Sequence, residues 1–283
     1  MLRKAIRRSV VTTGRVERSP SVRSLKRARL LTLWLLRLTA VGVVLGSWQL
    51  SAAMRWVDPL FTSSPSAIWQ AFLQTVGPLA TQELPTTLTE MLIGLLLGVA
   101  VGFVLGAVLS SLDLLNDALR PLYVSLNSVP RIALAPLFIV WFGLGIPSKV
   151  ALAFTLVVFI VMLNTISGLT QVDRDVLLLS KSMGVTGWRR LRTFLLPSAI
   201  PSLAVAVELG IVYSFLGAIT GELVGGSTGL GVVMTQQATE FRTADFFATL
   251  FLLALVATGF TQVVHLAVRR VLRWHYVELK GVG

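Results

Sequence analysis

Six stretches of this chain are apolar for long enough to cross a bilayer, which few soluble folds could bury. A span needs about 20 mostly apolar residues. The runs lie at 38–54, 87–112, 122–142, 150–166, 199–220 and 248–268. The first and fourth are short, and Pro130 and Pro136 interrupt the third. The pattern predicts an all-α membrane protein with six transmembrane helices. Charge agrees with this, since only 13% of residues are charged, against about 25% in a soluble domain. Cysteine is absent, which excludes a disulfide framework and a thiolate metal site. A cleaved signal peptide over the first run is the alternative to a retained span. The basic stretch before it is too long for a usual n-region, and no clear A-x-A site follows.

The net charge of +12 is placed unevenly. Arg3, Lys4, Arg7, Arg8, Arg15, Arg18, Arg23, Lys26, Arg27, Arg29 and Arg37 precede the first run. Arg120 lies between the second and third runs, and Arg174, Lys181, Arg189, Arg190 and Arg192 follow the fourth. Arg269, Arg270, Arg273 and Lys280 close the chain. With six spans all of these fall on one side, and the opposite loops hold only Arg55, Lys149 and Arg242. The positive-inside rule then puts both termini in the cytoplasm. The arm serves as a topology signal, and it lacks the interleaved aromatics of a nucleic-acid surface.

Inside the second run, Gly94, Gly98, Gly102 and Gly106 recur every four residues. That spacing makes a small-residue stripe on one helix face, where another helix can approach closely. Polar groups at membrane depth usually face a cavity or a partner. Glu90, Arg131, Asn164, Glu208, Glu222 and Gln262 are such groups. Glu90 and Glu222 sit near the outer ends, within reach of the interface. Arg131 follows Pro130, where a kink frees carbonyls for it. Asn164 can bond a neighbouring helix. Glu208 lies mid-run among apolar residues and is the strongest functional candidate. For each of them, structural pairing and solute contact both stand as readings.

Residues 171–197 read as a helix-turn-helix between two spans. Asp173 can cap a helix over 174–183, Gly184 suits the left-handed position that ends one, and Thr186 can cap a second. Leu196-Pro197 is expected to break that second helix before the fifth span. Val176, Leu177, Leu179 and Met183 beside basic residues fit a membrane-surface pair, or a docking element for a soluble partner.

This segment resembles the cytoplasmic motif E-A-A-x(3)-G-x(9)-I-x-L-P of permeases in binding-protein-dependent ATP-binding-cassette importers. Gly184, Phe194 in the apolar position, Leu196 and Pro197 match in register. Leu178, Leu179 and Ser180 stand where the family has E-A-A. Pro130-Arg131-Ile132-Ala133-Leu134-Ala135-Pro136-Leu137, Trp141-Phe142-Gly143-Leu144-Gly145 and Ser148-Lys149 resemble the branch serving nitrate, sulfonate, taurine, bicarbonate and some pyrimidine precursors. Asn164-Thr165 with Gly168, Gly221-Glu222-Leu223, Gly229-Leu230-Gly231 and Arg273-Trp274-His275 fit it too. Two positions depart from it. Glu90 and Glu208 stand where that branch often has arginine.

The resemblance implies a type I importer permease fold with cytoplasmic coupling helices. It divides the chain into a basic cytoplasmic arm (1–37), a first span and outer loop (38–85), a permease core (86–275) with coupling segment 171–197, and a cytoplasmic tail (276–283). It implies that Leu178, Leu179, Ser180, Lys181, Gly184, Val185 and Trp188 couple to ATPases. The expected partners are a second permease chain in a homodimer, two ATP-binding-cassette ATPase subunits and an extracytoplasmic solute-binding protein, all in or against the inner membrane bilayer. No cofactor is expected on this chain, since ATP and Mg belong to the ATPases. The sequence is consistent with this, for it contains no G-x(4)-G-K-[ST] phosphate loop. The alternative is a secondary transporter or channel without an ATPase partner, but no inverted repeat is visible. A membrane enzyme is disfavoured, because the only histidines, His265 and His275, are not spaced as metal ligands.

Overall fold

The computed structural model describes residues 22–271. The first 21 positions of the basic arm, the Arg273-Trp274-His275 ending and the tail over 276–283 lie outside the described residues. Among the described residues every regular element is a helix. Helix α1 (Val22–Ala53) belongs to one compact unit, and the chain from Asp58 onward forms another. The second unit contains α2 (Pro59–Thr62), α3 (Pro65–Pro78), α4 (Leu84–Ser111), α5 (Asp113–Asn127), α6 (Ala135–Phe142) and α7 (Ile146–Thr170). It continues with α8 (Arg174–Ser182), α9 (Gly187–Arg190), α10 (Leu196–Gly225), α11 (Leu230–Thr239) and α12 (Thr243–Val271).

Among the described residues, five segments are long and apolar enough to cross a membrane: Leu31–Ala53, Pro65–Ser111, Ile146–Thr170, Gly187–Gly225 and Thr243–Arg270. A sixth is obtained if α5 and the stretch Arg131–Phe142, bent by 76° at their junction, form one broken span. Pro130 stands at that break, where it ends the helical hydrogen bonding. Residues 65–83, expected within an outer loop, are instead helical. Ser64 caps α3 by accepting from the Ala67 amide at 3.3 Å, and α3 runs through a π turn, Leu79–Glu83, into α4.

A second π turn, Leu191–Leu195, leads into α10. Each π turn lies just before a proline, Pro85 or Pro197, at the start of the next helix. Proline lacks an N–H and its ring crowds the preceding turn, and widening that turn by one residue makes room for the ring. The break expected at Leu196-Pro197 is therefore absent, and Gly187–Gly225 continues as one helical segment.

The core is a three-helix arrangement of α4, α7 and α10. Met91 and Leu95 meet Val157 and Val161 of α7, and Ala206, Ile211, Phe215 and Ala218 of α10. Side chains of α12 such as Val256, Phe260 and Val264 cover this cluster. The glycine stripe is the seam between α4 and α7. A Cβ at Gly94 would fall 2.5 Å from Ala153 Cβ, and one at Gly98 would fall 2.6 Å from Val157 Cβ. At Gly106 it would fall 2.6 Å from Thr165 Cβ. At Gly102 it would meet a backbone atom, the Val158 carbonyl oxygen, at 2.6 Å. A backbone carbonyl inside a helix cannot turn aside as a side chain can. Gly102→Val is therefore expected to destabilise the protein by about 1–3 kcal/mol, seen as a lower Tm in detergent. Gly259→Ala, where nothing lies within 4 Å, serves as the control. Equal melting of the two variants would rule out the close seam.

Candidate functional site

The segment 171–197 begins as its sequence suggests. The Asp173 carboxylate accepts from the Asp175 amide at 2.9 Å and starts α8. The helix ends in a Schellman motif. The Val185 amide donates to the Ser180 carbonyl at 3.0 Å, and the Gly184 amide donates to that of Lys181 at 3.0 Å. Gly184 has φ +65°, the left-handed conformation that glycine adopts most cheaply. Ser180 is fully buried, while Leu178, Leu179, Met183 and Trp188 are exposed. Lys181 is exposed and Val185 half-buried. Thr186 precedes α9, but its side chain makes no capping bond, unlike the expectation.

A buried polar network joins α4, α7 and α10 to the start of α11. Glu222 and Thr87 arrange it. Glu222 Oε1 accepts from the Thr87 hydroxyl at 2.7 Å, and its Oε2 accepts from the Gly231 amide at 2.6 Å. The Leu230 amide donates to Thr87 Oγ1 at 3.0 Å, and the Gly229 amide donates to Glu83 Oε2 at 2.7 Å. The first amides of a helix have no partner within it, and carboxylates there meet the positive end of the helix dipole. Gly229 has φ +112°, and a Cβ there would overlap the Glu222 carboxylate at 2.0 Å. The chain from Gly221 to Gly231 is thus shaped around one carboxylate.

Lys149 joins the same network. Its Nζ stands 3.1 Å from Glu90 Oε1, with the side chains 1% and 0% exposed. The contact is an ion pair without hydrogen-bond alignment. Lys149 also donates to the Thr228 carbonyl at 3.4 Å. Two expectations are corrected here. Lys149 does not sit in a loop but within α7, and the Glu90 and Glu222 side chains are buried inside the bundle instead of turned outward. Of the other basic residues in that group, Arg55 and Arg242 are exposed, with Arg242 paired to Asp245 at 2.9 Å.

The remaining candidates are dispersed. Arg131 Nη2 donates to Asn127 Oδ1 at 2.6 Å and to the Asn127 carbonyl at 3.4 Å. Its guanidinium lies 4.3 Å from the centre of the Phe159 ring, a cation–π contact. Asn164 bonds its own helix, at the Ile160 carbonyl, 2.7 Å away, not a neighbouring one. Glu208 pairs with His265, Oε1 to Nδ1 at 2.7 Å, and not with Arg131. The sequence offers His265 only as one of two histidines not spaced as metal ligands. The signal available was a single histidine in the last apolar run, facing an acid in the fifth.

Taken together, the apolar spans, the tight glycine seam and the short helix pair beside them define a helical bundle of the multi-span membrane class. By sequence, residues 94–273 match the family described as "Binding-protein-dependent transport system inner membrane component", and the chain belongs to it. It is a multi-pass inner-membrane permease of an ATP-driven importer, and ATP hydrolysis occurs in separate subunits. It is 33% identical to the riboflavin transport system permease protein RibX of Chloroflexus aurantiacus over 90% of this chain and 95% of the relative. It is 32% identical to the formylaminopyrimidine transport permease protein ThiX of Halalkalibacterium halodurans, over 74% and 83% of the two chains. The taurine transport system permease protein TauC of Escherichia coli is 26% identical over 85% and 90%. Among solved structures, an inward-facing form of the MetNI methionine ABC transporter matches with a TM-score of 0.59 at 20% identity. That match covers 68% of this chain and 93% of the other. The likeness shows the type I importer permease fold.

Proposed function

We propose that two copies of this chain form the pathway of an importer for a small polar solute, with both termini in the cytoplasm. Two ATPases, holding ATP and Mg, dock on α8 and α9. A solute-binding protein delivers cargo to the opposite face. The observation that carries this reading is the α8 turn. It presents Leu178, Leu179 and Met183, three exposed apolar side chains, next to Lys181 on an element held by a Schellman motif, and α9 after it adds the exposed Trp188. A rigid element with exposed apolar knobs suits a protein partner. A packed helix also moves as a unit when that partner closes. Glu90, Glu222 and Lys149 brace the far end of the bundle and leave the solute to other groups. Glu208, standing where the taurine-type branch often has arginine, supports a neutral or cationic solute over an oxyanion.

Because the chain has no cysteine, Leu179→Cys provides a unique label. A membrane-impermeant thiol reagent is expected to modify it in inside-out vesicles only, and bound ATPase should protect it. Labelling from the outer face, or labelling indifferent to the ATPase, would reject the docking assignment.

A further inference from the structure

The charged groups within the bundle are of two kinds. Glu90, Lys149 and Glu222 are 0%, 1% and 1% exposed, and their partners come from this chain. Glu208 and His265 are also paired, yet their side chains remain 27% and 34% exposed. The pair uses one oxygen and one ring nitrogen. Glu208 Oε2 and His265 Nε2 have no hydrogen-bond partner among the described residues. Gln262, one turn before His265 on α12, is exposed as well. On α10 the neighbours Val205, Leu209 and Val212 are exposed and apolar.

Hydrocarbon is a poor environment for such groups. Polar residues at membrane depth usually face a water-filled cavity or another protein chain. An apolar wall with a few convergent polar groups is also the usual composition of a small-molecule site. We propose that Glu208, His265 and Gln262 form the solute-contacting site of the pathway, selecting solutes that carry hydrogen-bond donors and no net negative charge. This rests on the permease reading above. The pairing with His265 engages one oxygen of the Glu208 carboxylate and leaves Oε2 without a partner among the described residues, able to accept from a donor-bearing solute. A donor-bearing or cationic solute is attracted, and a sulfonate or nitrate is repelled.

The absence of cysteine allows a test without knowledge of the solute. Val212→Cys places a thiol one turn from Glu208 and leaves the pair intact. The complex with its ATPases, in nanodiscs, is treated with two methanethiosulfonates of similar size, one ending in trimethylammonium and the other in sulfonate. After correction for intrinsic reactivity, the cationic reagent should react at least about tenfold faster, as expected where a low-dielectric cleft focuses the field of a carboxylate. Glu208→Gln, which keeps a hydrogen bond to His265, should abolish the preference. His265→Asn, which keeps the carboxylate, should retain it. A thiol unreactive with both reagents, with or without ATP, places this face against lipid or protein and overturns the proposal. A preference that survives Glu208→Gln overturns it too. ATPase activity of the same complex reports separately on the permease reading. Activity that persists while the preference is missing removes the solute site alone.

Discussion

Gly184→Val is expected to leave the chain inserted and folded but to lower solute uptake by at least about tenfold, a change worth 1.4 kcal/mol in an equilibrium. No atom lies within 4 Å of a Cβ built at Gly184, so crowding is not the cause. The cause is φ +65°, a conformation that costs a β-branched residue about 1–3 kcal/mol. The chain escapes that strain by opening the turn, which gives up the Ser180 and Lys181 bonds and the set angle at which the chain leaves α8. Gly184→Asn should be milder, since asparagine tolerates left-handed backbone. Uptake and ATPase stimulation are measured together on the reconstituted complex. Normal values of both for Gly184→Val would show that the turn does not transmit ATPase closure.

Lys149→Met should be more damaging to the fold. It leaves Glu90 buried beside Glu222 with no cation. Removing one partner of a buried ion pair typically costs about 3–5 kcal/mol, which should appear as a large fall in Tm and in the yield of monodisperse protein. Adding Glu90→Gln removes the stranded charge and should restore most of the loss. If Lys149→Met melts as the parent does, the pair is not structural, and Glu90 stands again as a candidate for the pathway.

Most of the bundle was legible in the sequence because lipid imposes a simple rule. A span must be long, apolar and helical, and the runs at 87–112, 150–166, 199–220 and 248–268 obey it. The four-residue spacing of Gly94, Gly98, Gly102 and Gly106 could be read as a contact face, though not its partner. That α7 is the partner depends on tertiary packing. Pairing was illegible for the same reason. Glu90 and Lys149, Thr87 and Glu222, and Glu208 and His265 are far apart along the chain. No local pattern links them, and Lys149 looked like an ordinary loop charge because it sits within four residues of the start of α7. The α8 turn was legible because a Schellman motif is local: one glycine, spaced from a capping aspartate, suffices. The π turns were missed because a proline at the start of an apolar run reads as a stop.

The π turn at Leu191–Leu195 sets a phase. One surplus residue in a helix advances everything beyond it by about 100° about the axis. The basic face of α9, with Arg189 and Arg190, is therefore offset from the face it would share with α10 in an unbroken α-helix. Because Gly187–Gly225 is continuous, a sideways push on α9 acts as a crank on the span. Drawing the surplus residue back into α-helical register would convert that push into rotation of Glu208 about the α10 axis.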